Sequence, residues 1–376
     1  IENYYYAFID TNFNIHLMNN INDIIFPTLQ ELNNTVNILF NYNDIKPIIV
    51  DRINDFYNNL GVPHRQQPFT TELLPCNYEH NKNQIEYLTS LQQSEQKSET
   101  WHIERSNKLT ASNIWKAIDT EASINSLIVE KCRTYTPIPL NINSPKHHGE
   151  KYEPLSVIYY EYTYNTKIGE FGFIDHKYYK FLGASPDGIC DIDSPPDFIG
   201  RMLEIKCPPK RKFTDEVPRH YWMQMQGQLE SCNLEECDFL QVKFIEYFNK
   251  QEYLEDIYLE NDIVKEGYSS NNLPKGLLIA FIRNNLEGNP TIQYEYCNFN
   301  SSFDSLKEWS TNIINDYKKK DFKYDIIKYH WWKIERYECT LVGRDREWWL
   351  DTQPKIIDFW EDVLYYREKG IQSFID

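Results

Sequence analysis

The chain has 376 residues, 41% of them hydrophobic and 15% aromatic, which excludes a disordered or fibrous protein and allows two domains, or one domain with large additions. A formal charge of −17 argues against a general polyanion binder, because neutralising phosphates takes Lys and Arg; an enzyme with a locally positive channel remains open. No apolar run approaches the roughly 18–20 residues of a membrane span.

No basic-then-apolar leader follows Ile1, and no initiator Met precedes it, so the chain is expected to be trimmed at its start. Cys76, Cys132, Cys190, Cys207, Cys232, Cys237, Cys297 and Cys339 are scattered without a CxxC pair, which predicts reduced thiols in an intracellular, non-secreted protein. Cys232 and Cys237 fall near a predicted helix end and are expected to pack rather than bind metal.

Residues 1–84 carry no catalytic motif and read as a helical N-terminal extension. Residues 19–29 form a helical pattern broken at Pro27; Ile48, Ile49, Ile53, Phe56 and Leu60 keep a second period that Gly61-Val62-Pro63 ends. In the polar stretch Cys76–Glu99, the spacing of Ile85, Leu88 and Leu91 predicts a solvated helix.

Thr110-Ala111-Ser112 then predicts a helix start, with Ile114, Trp115 and Ile118 on one face. Such a terminus beside Arg105 suits a phosphate, and a plain cap with a surface arginine fits the same residues. Residues 122–134 form a scaffold helix with Ile124, Leu127, Ile128 and Cys132 inward. Another helix opens at His147–Pro154, with Pro154 in its first turn and Glu153 at the end where the dipole favours a carboxylate; simple capping is the alternative role. His147 and His148 are adjacent, so they point apart and are assigned to the surface or to DNA contacts.

Residues 168–175 and 180–185 read as strands, and 191–200 as the loop leading to the strand Met202–Cys207. On that strand Glu204 and Lys206 share one face while Leu203 and Ile205 share the other. A carboxylate and an ammonium on an apolar strand cost desolvation, and Asp187 stands in a Ser185-Pro186-Asp187-Gly188 turn before them. A metal-dependent phosphodiester site accounts for all three; a surface turn followed by an amphipathic strand is the alternative. Arg201, Lys206, Lys210, Arg211, Lys212 and Arg219 give residues 201–220 a local basic excess. Tyr221, Met225 and Leu229 then follow a four-residue helical step that sets Gln224 beside Gln228.

Residues 238–244 close the sheet, and 277–282 form a buried late strand. Lys318, Lys319, Lys320 and Lys323 form a solvated basic patch, and the tryptophans beyond residue 330 are assigned to packing.

Five segments resemble, in order, those of the lambda-exonuclease-like, YqaJ-type viral recombination nucleases of the PD-(D/E)XK superfamily. They are Trp101-x3-Arg105 with Thr110-Ala111-Ser112; Gly149-x3-Glu153; Ser185-Pro186-Asp187-Gly188; Glu204-Ile205-Lys206-Cys207-Pro208; and Tyr221-x2-Gln224-x-Gln226. The match covers about residues 85–245, loosely 325–370, and departs at Asn107, where relatives carry Gly. It implies an α/β fold: a restriction-endonuclease-like core at 85–250 with a mixed sheet flanked by helices, the helical extension at 1–84, and a C-terminal addition at 251–376 packed on the core.

The resemblance further implies a 5′–3′ exonuclease acting on double-stranded DNA ends in viral recombination, repair or defence, with Mg²⁺ or Mn²⁺, as two ions. Asp187, Glu204 and the Ile205 carbonyl are implied metal ligands, with Glu153 holding a second ion directly or through water. Lys206 is implied to orient or deprotonate the attacking water, its pKa lowered beside the ions, and Gln224 to position Lys206 or substrate. Arg105 and Ser112 are implied to hold a terminal 5′-phosphate. A homo-oligomer (dimer or trimer), a single-strand annealing or recombination partner, and a location in host cytoplasm, viral factory or virion complete the expectation. An endonuclease of the same superfamily and a catalytically silent DNA-binding or complex-forming protein stay open as alternatives.

Overall fold

The computed structural model describes residues 78–137, 139–210, 213, 216–284, 291–320 and 323–374. The helices expected at 19–29 and 45–60, most of the extension expected at 1–84, and Arg211 and Lys212 lie outside them. The chain divides into two compact units. Of the described residues, one unit contains those within 78–242, 282–292 and 340–374, and the other those within 243–281 and 293–339. The tail expected as one addition over 251–376 is thus shared between the units.

The first unit begins with helix α1 (Tyr78–Ser90), whose Ile85 and Leu88 are buried. Helix α2 (Glu99–Asn107) starts at Ser98, whose side chain accepts from the Trp101 amide. Strand β1 (Leu109–Thr110) leads into a tight turn at Ala111–Asn113 and the short helix α3 (Ile114–Ala117). Thr110 caps nothing with its side chain, and α3 has four residues, so the helix start expected here is too short to act as a phosphate-binding terminus. Helix α4 (Glu121–Cys132) buries Leu127 and Ile128, as its periodicity predicts.

Helix α5 (Pro145–Tyr164) is capped by Ser144, with Pro145 in its first turn where no N–H is lost. Pro154 therefore lies inside the helix, and Glu153 is mid-helix rather than at its start; the dipole argument for Glu153 does not apply. His147 is buried, not on the surface as expected.

The strand expected over 168–175 is instead two short strands in different sheets, β2 (Ile168–Gly169) and β3 (Ile174–Asp175). Next come β4 (Leu182–Ala184), β5 (Gly188–Cys190), β6 (Met202–Lys206), helix α6 (Arg219–Cys232) and β7 (Glu236–Glu246). β2 and β5 run antiparallel, as do β5 and β6, while β6 and β7 are parallel. That is the mixed sheet expected, with α6 as the crossover between its parallel strands. β1, β4 and β3 form a separate small sheet.

Both faces of the mixed sheet are covered by helices. Adjacent β7 residues point to opposite faces: Asp238 accepts from the Tyr160 hydroxyl of α5 at 2.6 Å, and Phe239 neighbours Tyr221 of α6, ring centroids 5.5 Å apart. The α6 face is apolar through Trp222, Met225 and Leu229, which join Ile85, Leu88, Met202 and Phe239 in one core. A second core joins α3 and α4 to the C-terminal helix Arg346–Lys369 through Ile114, Leu127, Phe359 and Trp360. α6 lies tight against the Ala111 turn at Gly227, where a Cβ would come within 2.2 Å of Ile114 Cδ1.

The second unit holds most of the strand Lys275–Arg283, which lies between the strands Thr291–Tyr296 and Ile326–Gly343, with Leu277–Phe281 buried as expected. The helix Phe303–Lys319 packs there, its Tyr317 stacked on Phe281. Trp332 is fully buried, which agrees with a packing role. Among the described residues no helix is long and apolar enough to cross a membrane.

Candidate active site

The register of β5 against β6 pairs Gly188 with Leu203 and Ile189 with Met202. Continued by one residue, it sets Asp187 opposite Glu204, and opposed residues of an antiparallel pair share a face. Gly188 is required at the pairing: a Cβ there would meet Ile168 Cγ2 at 2.3 Å. The Asp187 carboxylate accepts the Ile205 amide at 2.7 Å, which ties the turn to the strand.

Glu204 is fully buried on the α6 face. It forms an ion pair with Lys206, two residues along the strand, and its two oxygens each take a glutamine amide from α6. Gln224 Nε2 donates to Oε1 at 2.7 Å and Gln228 Nε2 to Oε2 at 2.7 Å. Their four-residue spacing puts both amides over the same carboxylate. Gln224 thus holds the carboxylate that pairs with Lys206.

Burial, followed by the charges of Glu204 and Glu153, pushes the Asp187 carboxyl well above its ordinary range. Burial opposes the Lys206 charge, but Glu204 and Asp187 outweigh it and hold Lys206 above the ordinary lysine value. The lowering expected from the sequence is tied to bound metal ions; the two carboxylates by themselves shift Lys206 the other way.

Glu153 reaches the same cleft from α5 and forms an ion pair with Lys97 at 3.0 Å. Lys97 holds a left-handed backbone, φ 67°. The loop bearing Asp187 is held from the same segment: Gln96 Nε2 donates to the Pro186 carbonyl at 2.9 Å and to the Phe171 carbonyl at 2.7 Å. Asp187, Glu204 and Glu153 give the cleft an all-oxygen donor set; even so, among the described residues no three His, Cys, Asp or Glu side chains are gathered closely enough to hold a metal alone.

Helix α2 supplies the other wall. Arg105 lies over the Trp101 ring, 4.3 Å from its centroid, and its Nη2 is 3.4 Å from Ser112 Oγ. Trp101 Nε1 donates to Ser185 Oγ at 2.9 Å, and Thr110 and Ser112 share a hydroxyl contact at 2.9 Å. Arg105 and Ser112 therefore come together, with Asp187 and Glu204 close enough to oppose the lowering of the Arg105 pKa by burial. Lys131, buried beneath, donates to the Arg105 carbonyl at 2.7 Å.

Arg105, Ser112, Glu153, Asp187, Glu204 and Lys206 line one cleft of about 1710 Å³, together with Lys146, Lys210 and residues 139–144. Its size suits a polymer strand better than a small molecule. The basic excess expected at 201–220 is not one surface. Arg201 is buried in an ion pair with Glu236 at 2.7 Å, and Arg219 stacks on Trp222 at 4.0 Å; among the described basic residues of the stretch, Lys206 and Lys210 line the cleft. Cys232 is buried and its thiol is pushed up to about 12 by burial, consistent with packing.

Gln228, Trp101, Gln96 and Lys97 belong to the site but were not assigned to it from sequence. The four-residue step from Gln224 signals Gln228. Gln96 and Lys97 lie in a polar run without any distinguishing pattern.

Residues 100–235 match the YqaJ-like viral recombinase domain family. An uncharacterized protein of Acanthamoeba polyphaga mimivirus is 30% identical over 314 residues, which are 77% of this chain and 56% of that protein; the chain therefore spans little more than half of this relative's length. Among solved structures, an alkaline exonuclease from Laribacter hongkongensis aligns with a TM-score of 0.42 at 18% identity, over 73% of this chain and 97% of that one. A phage-related exonuclease from Haemophilus somnus aligns with a TM-score of 0.37 at 13% identity, over 71% of this chain and 96% of its own.

Proposed function

We propose that the chain, whose residues 100–235 match the YqaJ-like viral recombinase domain family, is a metal-dependent deoxyribonuclease on a PD-(D/E)XK core that degrades double-stranded DNA 5′–3′ from its ends. The single observation that carries the reading is Asp187 opposite Glu204 with Lys206 on the same face, inside a cleft large enough for a DNA strand.

The donor chemistry fits Mg²⁺ or Mn²⁺. Asp187 and Glu204 offer hard oxygens in a buried site where their mutual repulsion favours a cation. The Ile205 carbonyl, Glu153 through water, and substrate oxygens are the natural remainder of a shell that three carboxylates do not close. When bound, a divalent ion supplies positive charge that stabilises the oxygens of an in-line displacement.

The protein's own side chains do the rest. Gln224 and Gln228 fix the two Glu204 oxygens. The Lys206 ammonium donates hydrogen bonds that orient the attacking water and stabilise charge on the scissile phosphate. Arg105, held flat by Trp101, and the Ser112 hydroxyl bind a terminal 5′-phosphate, and this selects ends over interior positions. Assembly as a homo-oligomer and action beside a strand-annealing partner belong to the same reading.

The test uses linear duplexes with and without a 5′-phosphate and a closed circle, each with Mg²⁺, Mn²⁺ or EDTA, comparing wild type with Glu204→Ala. The expected outcome is metal-dependent loss of linear duplex from 5′-phosphorylated ends by wild type alone. Absence of metal-dependent cleavage on every substrate sinks the nuclease reading, and equal cutting of the circle replaces exonuclease with endonuclease. Light scattering reads the oligomeric state.

A further inference from the structure

Gln228 is buried, 1% exposed, at the floor of the cleft. Its Nε2 donates to Glu204 Oε2 at 2.7 Å and lies 3.5 Å from the Ser185 carbonyl. Both neighbours are acceptors, and this settles the amide orientation: a flipped side chain would set its oxygen against a carboxylate and a carbonyl. Among the described residues the Gln228 Oε1 atom is left buried without a hydrogen-bond partner. A buried acceptor without a donor carries a desolvation cost, and a donor brought to it when the cleft is loaded would relieve that cost. Among the described residues Lys206 and Gln224 both hold Glu204 Oε1, and Gln228 holds Oε2.

We infer that Gln228 is a positioning residue for the metal site: its amide locks Glu204 Oε2, and its Oε1 accepts from a water in the hydration shell of the divalent cation. This rests on the nuclease reading. Gln224 and Gln228 then divide the work, the first steadying the oxygen that Lys206 shares and the second steadying the oxygen presented to the ion. A glutamine suits this place because it donates to Glu204 and accepts from water at once, which neither Met nor Glu can do.

The experiment measures Mn²⁺ binding by calorimetry on the full chain without DNA, for wild type and Gln228→Met, a variant close in volume with neither donor nor acceptor. The metal concentration for half-maximal cleavage of a linear duplex is measured alongside. Loss of an outer-shell partner of this kind weakens metal affinity by ~10–100-fold. Gln228→Met is expected to raise the Mn²⁺ dissociation constant and the half-saturating metal concentration by that factor, with cleavage recovering towards wild type at high metal. A merely structural role would lower activity without moving the metal dependence. Unchanged Mn²⁺ affinity in a folded Gln228→Met overturns the inference and leaves the nuclease reading standing. Wild type that binds no Mn²⁺ and cleaves nothing overturns both. If the variant does not fold, a crystal structure of the wild type with Mn²⁺ decides: water density between the ion and Gln228 Oε1 supports the inference, and its absence overturns it.

Discussion

The Ile205 amide donates to the Asp187 carboxylate at 2.7 Å, so the acid of the turn is anchored by the backbone between Glu204 and Lys206. Asp187, buried and facing the charges of Glu204 and Glu153, is held in place at a cost in charge repulsion. Asp187→Asn keeps an acceptor for the Ile205 amide and removes that repulsion. We expect the melting temperature in EDTA to rise by a few degrees, the equivalent of about 1 kcal/mol in a unit of this size. Cleavage is expected to fall by about 100-fold or more, the scale for removing a preorganised charge-stabilising group. Calorimetry and a duplex-degradation assay read the two effects, and a lowered melting temperature would contradict the repulsion.

Arg105 is fixed on Trp101 at 4.3 Å and reaches Ser112. Arg105→Gln should cut the preference for 5′-phosphorylated over 5′-hydroxyl ends by about 10–100-fold, the worth of a hydrogen bond to a charged group. Trp101→Leu should cut it less, because the arginine stays but is no longer held. The check is the ratio of initial rates on the two duplexes. A ratio unmoved by Arg105→Gln would remove Arg105 from end recognition.

Lys131 is buried, its amine donated to the Arg105 carbonyl, and burial pushes its pKa down to about 8. An unfolded lysine titrates near 10.4. Between these values the unfolded chain binds a proton that the folded chain does not, so stability rises with pH across that window and is flat below about 8 for this group. The expected gain from pH 8 to 10.4 is roughly 2–3 kcal/mol from this group. Urea unfolding across the range, with Lys131→Met as the flat control, measures it. Parallel curves for both proteins would rule out this titration.

Arg201 is buried against Glu236 at 2.7 Å and also bonds the Asp197 carbonyl at 3.0 Å, next to the Asp238–Tyr160 pair. Arg201→Met leaves the buried Asp238 and the half-buried Glu236 without their cation and is expected to destabilise by about 3–5 kcal/mol. Arg201→Lys should recover only part of that, since an ammonium cannot reproduce the fork. Denaturant midpoints supply the comparison, and equal stability of Arg201→Met and wild type would reject the account.

Gly172 sits where a Cβ would fall 2.1 Å from the Ser94 carbonyl oxygen, in the segment that carries Gln93 and Gln96. Gly172→Ala must push that backbone away, at about 1–3 kcal/mol. The same shift loosens the Gln96 hold on Pro186, so activity should drop beyond what the lost stability explains. Rates measured well below the melting temperature separate the two effects.

Sequence alone determined what depends on local period. Alternation along Met202–Lys206 put Glu204 and Lys206 on one face, and the four-residue step of 219–232 put Gln224 and Gln228 on another. The Ser-Pro-Asp-Gly turn and the Trp-to-Arg spacing named Asp187 and Arg105. Local period says which way a side chain points, not what it meets.

Tertiary structure decided the meetings. Arg201, counted from sequence among the cleft's cations, is spent on Glu236 because β6 and β7 lie side by side. Glu153 faces the site from the middle of α5, although its neighbouring proline suggested a helix start, since Ser144 and Pro145 had already begun the helix. Gln228 entered the site because α6 crosses the buried carboxylate with two turns in reach. Each of these is a long-range contact whose partner is set by how strands and helices cross, and no spacing within one segment records that.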